Sequence, residues 1–161
     1  CASPFSHKNE KATPGYYEVS LDKHNINAAL TITVRAGMHQ YSFPSGATEG
    51  KILIDLKHRD EVLESSLEIV NDYEVRGMRR SKSWAANQVI YFYLKFEKPL
   101  KSYGIAVNDK LQPGNSKAAG KNIKSYISTR SPASGSGWRL QHPGAAEAAR
   151  CDWAGKNRQY W

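Results

Sequence analysis

Apolar and polar residues alternate with a period of two along most of the first 130 residues. Such alternation is typical of strands that bury one face and expose the other. The pattern predicts strands at residues 17–21, 30–35, 39–43, 52–56, 67–69, 73–75, 89–96, 103–107 and 123–127. Residues 89–96 are apolar on both faces except for Lys95, which predicts a central strand that is covered on both sides.

Turn-forming residues separate these runs about every ten residues, and no repeat of fixed length is visible. Short strands at this spacing favour two packed sheets over a propeller or a solenoid. The sequence therefore predicts an all-β fold, an antiparallel two-sheet β-sandwich that is supersandwich-like. One stretch, residues 60–66, has helical spacing and is expected to form at most a short helix.

The character of the chain changes after Arg130. Residues 131–137 are rich in Ser and Gly, as in a linker, and residues 144–154 have the alanine content of a brief helix. We therefore expect a β-sandwich domain at residues 1–130 and a C-terminal tail of atypical composition at residues 131–161. No apolar run approaches the ~18 residues that a membrane-spanning helix requires, so no membrane span is expected.

The net charge of +8 is unevenly distributed along the chain. Residues 1–75 contain 7 basic and 11 acidic residues, whereas residues 76–130 contain 12 basic and 2 acidic residues. The densest basic cluster consists of Arg76, Arg79, Arg80 and Lys82. We interpret it as the exposed end of a hairpin, whose arginines pair with the acidic residues of the preceding segment, Glu68, Asp72 and Glu74. Nucleic-acid binding is the alternative, and no motif supports it.

The two cysteines, Cys1 and Cys151, lie near opposite ends of the chain and have no spacing signature. Two free thiols are therefore favoured over a disulfide. Cys1 is compatible with the lipidated first residue of an exported lipoprotein, although an arbitrary chain boundary is the simpler interpretation.

Two groups of residues carry candidate binding chemistry. His7 and Glu10 lie three positions apart, and they are suited either to hydrogen-bond a ligand hydroxyl or to brace their own segment. Trp84, Asn87 and Gln88 precede the predicted central strand. An indole ring stacks on C–H groups and amides bind hydroxyls, whereas the competing interpretation packs Trp84 against a neighbouring sheet or domain.

Three ordered blocks of sequence carry a family resemblance. They are F-S-H-K-N-E at residues 5–10 with P-G-Y-Y at 14–17, R-A-G-M-H-Q-Y-S-F-P at 35–44, and S-W-A-A-N-Q at 83–88 leading to F-E-K-P at 96–99. Together they resemble the N-terminal β-sandwich domain of glycoside hydrolase family 92, the calcium-dependent exo-α-mannosidases. The resemblance extends over about residues 3–129.

This resemblance implies a parent enzyme that hydrolyses terminal α-linked mannose with inversion. Its general acid, general base and calcium ion would belong to a helical barrel C-terminal to the sandwich. The present chain is then expected to be inactive by itself and to shape the sugar pocket, with the barrel and a mannose-containing glycan as partners. No catalytic residue is assigned, and the substrate-binding candidates are His7, Glu10, Trp84, Asn87 and Gln88. An exported location, periplasmic or extracellular, is also expected.

No metal site is predicted within the chain itself. His24, His39 and His58 lack the spacing of zinc ligands. The densest acidic group, Asp55, Asp60, Glu61 and Glu64, lacks the spacing of a calcium loop. Calcium is therefore expected only of the complete parent enzyme, and no cofactor of this chain.

Two other functions stay open at the level of sequence. An autonomous carbohydrate-binding module would use exposed aromatic residues on one strand face, for which Tyr16, Tyr91 and Tyr93 are candidates. A basic nucleic-acid-binding β domain would use the positively charged residues 76–130.

Overall fold

In the computed structural model of this protein, residues 3–130 and 138–143 are described. These residues form thirteen β-strands and no helix. The strands are β1 (Phe5–Thr13), β2 (Tyr16–Leu21), β3 (Ile26–Ile32), β4 (Ala36–Ser42), β5 (Glu49–Asp55), β6 (Glu61–Asn71), β7 (Glu74–Lys82), β8 (Gln88–Phe96), β9 (Leu100–Val107), β10 (Lys110–Pro113), β11 (Lys117–Gly120), β12 (Ile123–Arg130) and β13 (Trp138–Pro143). The predicted linker, the alanine-rich stretch and both cysteines lie outside the described residues.

The strands are arranged in two antiparallel sheets. The nine-stranded sheet has the order β1-β2-β3-β4-β13-β8-β7-β6-β11, and the four-stranded sheet has the order β10-β9-β12-β5. Strand β13 pairs with β4 on one side and with β8 on the other. It therefore joins the β1–β4 part of the large sheet to the β6–β8 part.

The main core lies between the four-stranded sheet and the β6–β8 part of the large sheet. Strand β8 contributes Phe92, Leu94 and Phe96, all of which are buried. They belong to one apolar cluster with side chains from both sheets, including Leu67, Ile69, Val75, Ile105, Ile123 and Ile127. Removal of this apolar surface from water holds the two sheets together. The predicted all-β sandwich is therefore confirmed.

A smaller apolar cluster belongs to the other part of the large sheet. Val19, Leu21, Ile26 and Ala28 are buried there, and Tyr17, Tyr41 and Phe43 pack against them. Paired residues share a face of a sheet, so the register through β13 places this cluster on the same face as Phe96.

The prediction of a short helix at residues 60–66 is wrong, because β6 begins at Glu61. A register shift between Val62 and Glu64 inserts one extra residue into the strand. Val62 pairs with Ser81 and Ser65 pairs with Arg79, so buried positions of β6 lie three apart while their partners lie two apart. A bulge of this kind imitates the i, i+3 spacing of a helix.

The prediction that residues 89–96 are covered on both sides is also wrong. Phe92, Leu94 and Phe96 face the core, but Tyr91 is 71% exposed and Val89 is 44% exposed. The strand is central in its sheet, yet only one of its faces is packed against the second sheet. The apolar residues of the other face form part of the outer surface of the large sheet.

The strand predicted at residues 30–35 is shifted toward the N-terminus. Strand β3 begins at Ile26 and ends at Ile32, and its buried positions are Ile26 and Ala28. Val34 lies in the following turn and is 94% exposed. Apolar alternation thus continues beyond the part of the strand that is buried.

Candidate functional site

His7 and Glu10 come together on the edge strand β1. The His7 Nδ1 is hydrogen-bonded to Oε2 of Glu10, and the Tyr17 hydroxyl donates to Oε1 of the same carboxylate. Tyr17 lies on β2, which pairs with β1 around Glu10 and Val19. The Phe5 ring meets the imidazole edge-on, with 5.6 Å between ring centroids. The sequence candidates His7 and Glu10 therefore share one cluster, to which the structure adds Tyr17.

The ionisation of this cluster follows from its hydrogen bonds. Donation from Tyr17 and from His7 holds the pKa of Glu10 below its ordinary value. Partial burial, together with the bond to the Glu10 carboxylate, raises the pKa of Tyr17 to about 12. At neutral pH the carboxyl group is therefore ionised and the phenol neutral. Because a carboxylate only accepts hydrogen bonds, His7 donates through Nδ1, and its Nε2 takes no part in this bond.

The second group of candidates lies in the connection between β7 and β8. Trp84 is 92% exposed there. Asn87 accepts a hydrogen bond through Oδ1 from Arg80 Nε at 2.8 Å. Gln88 opens β8 and pairs with Ser81. The indole therefore extends into solvent beside a turn that Arg80 holds.

The structure does not combine the two groups into one site. Strands β2, β3, β4 and β13 lie between β1 and β8 in the large sheet. Five steps between neighbouring strands at ~4.8 Å each separate the two strands by about 24 Å. One sugar ring is too small to contact both His7 and Trp84.

The arginine cluster of β7 is engaged with the protein's own groups. Arg76 pairs with Glu68 at 3.0 Å, which confirms that part of the hairpin interpretation. Arg79 instead donates to the carbonyl oxygens of Leu56 and His58, at 2.9 and 3.1 Å. Pairing of Arg79 or Arg80 with Asp72 or Glu74 was therefore a wrong expectation.

The arginines of β7 have different partners because they lie on different faces of the strand. Successive side chains of a strand point to opposite faces, so Arg76 and Arg80 share the outer face whereas Arg79 points to the inner one. Glu74 forms hydrogen bonds with Asn71 and Tyr93 instead. Three of the four basic side chains of the cluster thus have structural partners, which favours the hairpin interpretation over a nucleic-acid surface.

A groove lies on the outer face of the large sheet, across β6, β7, β8 and β11. Its volume is about 410 Å³, and Tyr91, Tyr93, Met78, Arg76, Glu68 and Lys117 contribute to its lining. The register places Glu68 beside Arg76 and Lys117, and Arg76 beside Tyr93. Sequence reasoning identified the two tyrosines and the pairing of Arg76 with Glu68. It did not identify Met78, Ser66 and Lys117 beside them, because the full cross-strand register is not visible in the order of residues.

No group of three or more His, Cys, Asp or Glu side chains able to hold a metal ion occurs within residues 3–130. The donors present in this part of the chain therefore do not fit a calcium site. Nor do the described residues include a helix of the length and apolarity needed to cross a bilayer.

Comparisons with known proteins give the chain its family. Residues 1–135 match the glycosyl hydrolase family 92 N-terminal domain. A search of curated proteins found no match. The fold is similar to that of the family GH92 alpha-mannosidase BT3965 from Bacteroides thetaiotaomicron, with 28% identity and a TM-score of 0.79 over 88% of this chain.

Two further structures share this fold. The GH92 inverting mannosidase BT2199 from Bacteroides thetaiotaomicron VPI-5482 is 25% identical, with a TM-score of 0.75 over 89% of this chain. The GH92 family glycosyl hydrolase ccman5 is 23% identical, with a TM-score of 0.77 over 88% of this chain, and indicates the fold alone. The chain spans 20%, 19% and 20% of the lengths of BT3965, BT2199 and ccman5. With a family match over residues 1–135, the chain belongs to glycosyl hydrolase family 92, to its N-terminal domain.

Proposed function

We propose that this chain is the N-terminal sandwich portion of an α-mannosidase that removes terminal α-linked mannose with inversion. The observation that carries the proposal is the family match over residues 1–135. The similarity to an alpha-mannosidase and to an inverting mannosidase of the same family supports it. Within that enzyme the chain shapes the sugar pocket and supplies no proton-transfer group.

The carboxyl groups of the chain support a non-catalytic role. Six of them have a pKa below the ordinary value, each because of local hydrogen bonds: Glu10, Glu18, Glu49, Glu68, Glu74 and Asp109. A general acid of a glycosidase needs the opposite shift, a raised pKa that keeps its proton at working pH. These carboxyl groups therefore stay ionised at neutral pH, and their hydrogen bonds hold neighbouring side chains in place.

His7 is the residue of β1 best suited to face a sugar. Its side chain is 85% exposed, while that of Glu10 is 21% exposed. With Nδ1 bonded to Glu10, Nε2 is the ring nitrogen that remains for a hydrogen bond with a sugar hydroxyl. In this proposal His7 touches the sugar, and Glu10 and Tyr17 position it. Trp84, Asn87 and Gln88 then form a separate point of contact with glycan or with a neighbouring domain.

The helical barrel, the calcium ion and the exported location are parts of the same proposal and rest on the family alone. Calcium would be held by residues outside those described here, where it would contact sugar hydroxyls. No step assigned to this chain depends on it.

The proposal is tested with the complete protein. Hydrolysis of an aryl α-mannoside, followed by proton NMR, should release β-mannose as the first-formed anomer, because inversion reverses the configuration at the anomeric carbon. His7→Ala should raise KM and leave kcat within about twofold, since it removes binding and no proton transfer. First-formed α-mannose, or no hydrolysis at all, overturns the proposed reaction.

A second candidate is an autonomous carbohydrate-binding module. The exposure of Trp84 and Tyr91 favours it, because large aromatic side chains at such exposure are typical of binding surfaces. The two candidates are separated by the same assay. A module predicts glycan binding by a complete protein that has no α-mannosidase activity.

A further inference from the structure

We propose that the outer groove across β6, β7, β8 and β11 binds a neutral pyranose unit of a glycan. The groove is on the outward face of the large sheet, whereas the main core occupies the inward face of the same strands. Its volume of about 410 Å³ is within the ~300–1,000 Å³ range of small-molecule sites.

Two tyrosines of β8 give the groove its stacking surface. Tyr91 and Tyr93 lie two positions apart, so both rings stand on one face with a spacing of ~6.8 Å along the strand. Tyr91 is 71% exposed. Tyr93 is held by a hydrogen bond to Glu74. One ring is thus free to meet a ligand and the next is fixed beside it.

The depression itself follows from a difference in side-chain size. Ser66, Met78 and Tyr91 are cross-strand neighbours on this face. The small Ser66 side chain beside the larger Met78 and Tyr91 leaves the groove open on the β6 side. Apolar surface from Met78 and an aromatic face from Tyr91 are what the C–H groups of a sugar ring require.

Both cations of the groove, Arg76 and Lys117, are paired with the carboxylate of Glu68, which favours a neutral ligand over an anion. Glu68 lies 3.0 Å from Arg76 and 3.5 Å from Lys117. These pairs hold the pKa of Glu68 below its ordinary value, so its carboxylate is ionised at neutral pH. A polyanion would meet this carboxylate as well as the two cations. A polyol instead finds donors on Arg76 and Lys117 and an acceptor on Glu68, all within one cross-strand row.

The test uses the 161-residue chain, with linear mannotriose and maltotriose as probes in isothermal titration calorimetry. The choice of mannotriose rests on the proposed function, and maltotriose makes the test independent of it. At least one of them should bind saturably. Tyr91→Ala should weaken binding about tenfold, whereas Tyr91→Phe should retain it, because stacking needs the ring and not the hydroxyl.

Tyr126→Ala is the matched control, since Tyr126 is a partly exposed tyrosine of the other sheet. It should leave the dissociation constant unchanged. Absence of binding to both trisaccharides overturns the inference, as does binding that Tyr91→Ala leaves intact. Tighter binding of the oligonucleotide dT10 than of either sugar also overturns it and indicates a nucleic-acid surface. Failure of the mannosidase proposal would appear instead as absence of hydrolysis by the complete protein.

Discussion

At the scale of single residues, the cluster on β1 and β2 is a set of mutually fixed side chains. Glu10 accepts hydrogen bonds from both His7 and Tyr17, so each of the three groups limits the rotation of the others. The hydrogen bond to the carboxylate fixes the orientation of the imidazole ring. Such a side chain is pre-organised to bind a hydroxyl group, because it loses little rotational entropy on binding.

Because Tyr17 titrates at a higher pH in the folded state, the contribution of this cluster to the free energy of unfolding depends on pH. Its pKa of about 12 in the folded state lies above the ordinary value of 10.0. The stabilisation is therefore fully present below pH 10 and is lost as the pH rises from 10 toward 12. In urea unfolding, the excess stability of wild type over Tyr17→Phe should be constant from about pH 6 to 9 and should shrink above pH 10.

Glu10→Gln provides the control for that experiment. It removes the carboxylate next to the phenol, so the folded-state pKa of Tyr17 should fall toward 10.0 and the loss of stability above pH 10 should become smaller. An excess stability that is independent of pH up to 12 would show that Tyr17 does not titrate with folding as described.

A second prediction at the scale of single residues concerns Gly77, which lies where there is no space for a side chain. A Cβ at this position would lie 2.4 Å from Cζ of Phe92 and 2.5 Å from the backbone oxygen of Ser66. A backbone atom has little freedom to withdraw, so Gly77→Ala should lower the free energy of unfolding by about 3 kcal/mol, at the upper end of overpacking costs. Urea denaturation of the purified chain measures this.

Gly104→Ala is the comparison, because Gly104 also lies within a strand, β9. Its added Cβ would have its nearest contacts at 3.1 Å, one of them the end of the flexible Leu111 side chain. A smaller loss of stability is expected there, about 1 kcal/mol. If Gly104→Ala costs as much as Gly77→Ala, the crowding of Phe92 against β7 is not what makes Gly77 necessary.

At the scale of elements, the alternation of apolar and polar residues predicted the strands that bury one face. It failed where apolar residues continue past the buried part of a strand and where a bulge changes the spacing of the buried residues. Strands β2 and β12 were predicted because their buried residues lie two apart. Strand β6 was mistaken in part for a helix, because its bulge sets buried Val62 and Ser65 three apart.

The strands without an apolar face were missed. Strand β1 is mostly polar and exposed, and β10 and β11 have four residues each. These strands lie at sheet edges, where pairing on one side suffices to hold them. Their pairing depends on neighbouring strands and not on a pattern of their own, so the sequence carried no local signal for them.

The candidate site was predictable only in part for the same reason. His7 and Glu10 were identified because they lie three positions apart in the chain. Tyr17 was not, because it reaches Glu10 across a strand pair. The outer groove needs the register of four strands at once, which is a property of the sheet.

An element-scale prediction concerns the connection between β5 and β6. Arg59 in this connection has a φ of +85°, a conformation that side chains other than glycine rarely adopt. Arg79 of β7 holds the connection by donating to the carbonyl oxygens of Leu56 and His58. Arg79→Lys keeps the charge but loses the fork of donors, and should cost about 1–2 kcal/mol of unfolding free energy.

Hydrogen exchange and urea denaturation together check this role. Amide protection should fall in residues 56–60 and at the start of β6. The matched control is Arg80→Lys, since Arg80 donates to Asn87 on the exposed side of the same strand. Equal effects of the two substitutions would indicate a general sensitivity of β7 and no special role of Arg79.

At the scale of the whole molecule, the two faces of the large sheet differ in composition and in what they contact. The inward face is packed against the four-stranded sheet in the β6–β8 part, and it has a second apolar cluster in the β2–β3 part. The outward face of the β6–β8 part carries tyrosines and paired charges. A sandwich of this kind is a scaffold that presents surfaces, and the acid–base chemistry is proposed to belong to the rest of the enzyme.

The central claim, that this chain shapes a sugar pocket without supplying acid or base, is tested most directly by one rate measurement. Initial rates of aryl α-mannoside hydrolysis are compared for the complete protein and for the 161-residue chain, with the fold of the chain verified by circular dichroism. The account predicts turnover by the complete protein and, for the chain alone, a rate equal to that of the enzyme-free solution. Turnover by the purified chain would contradict it.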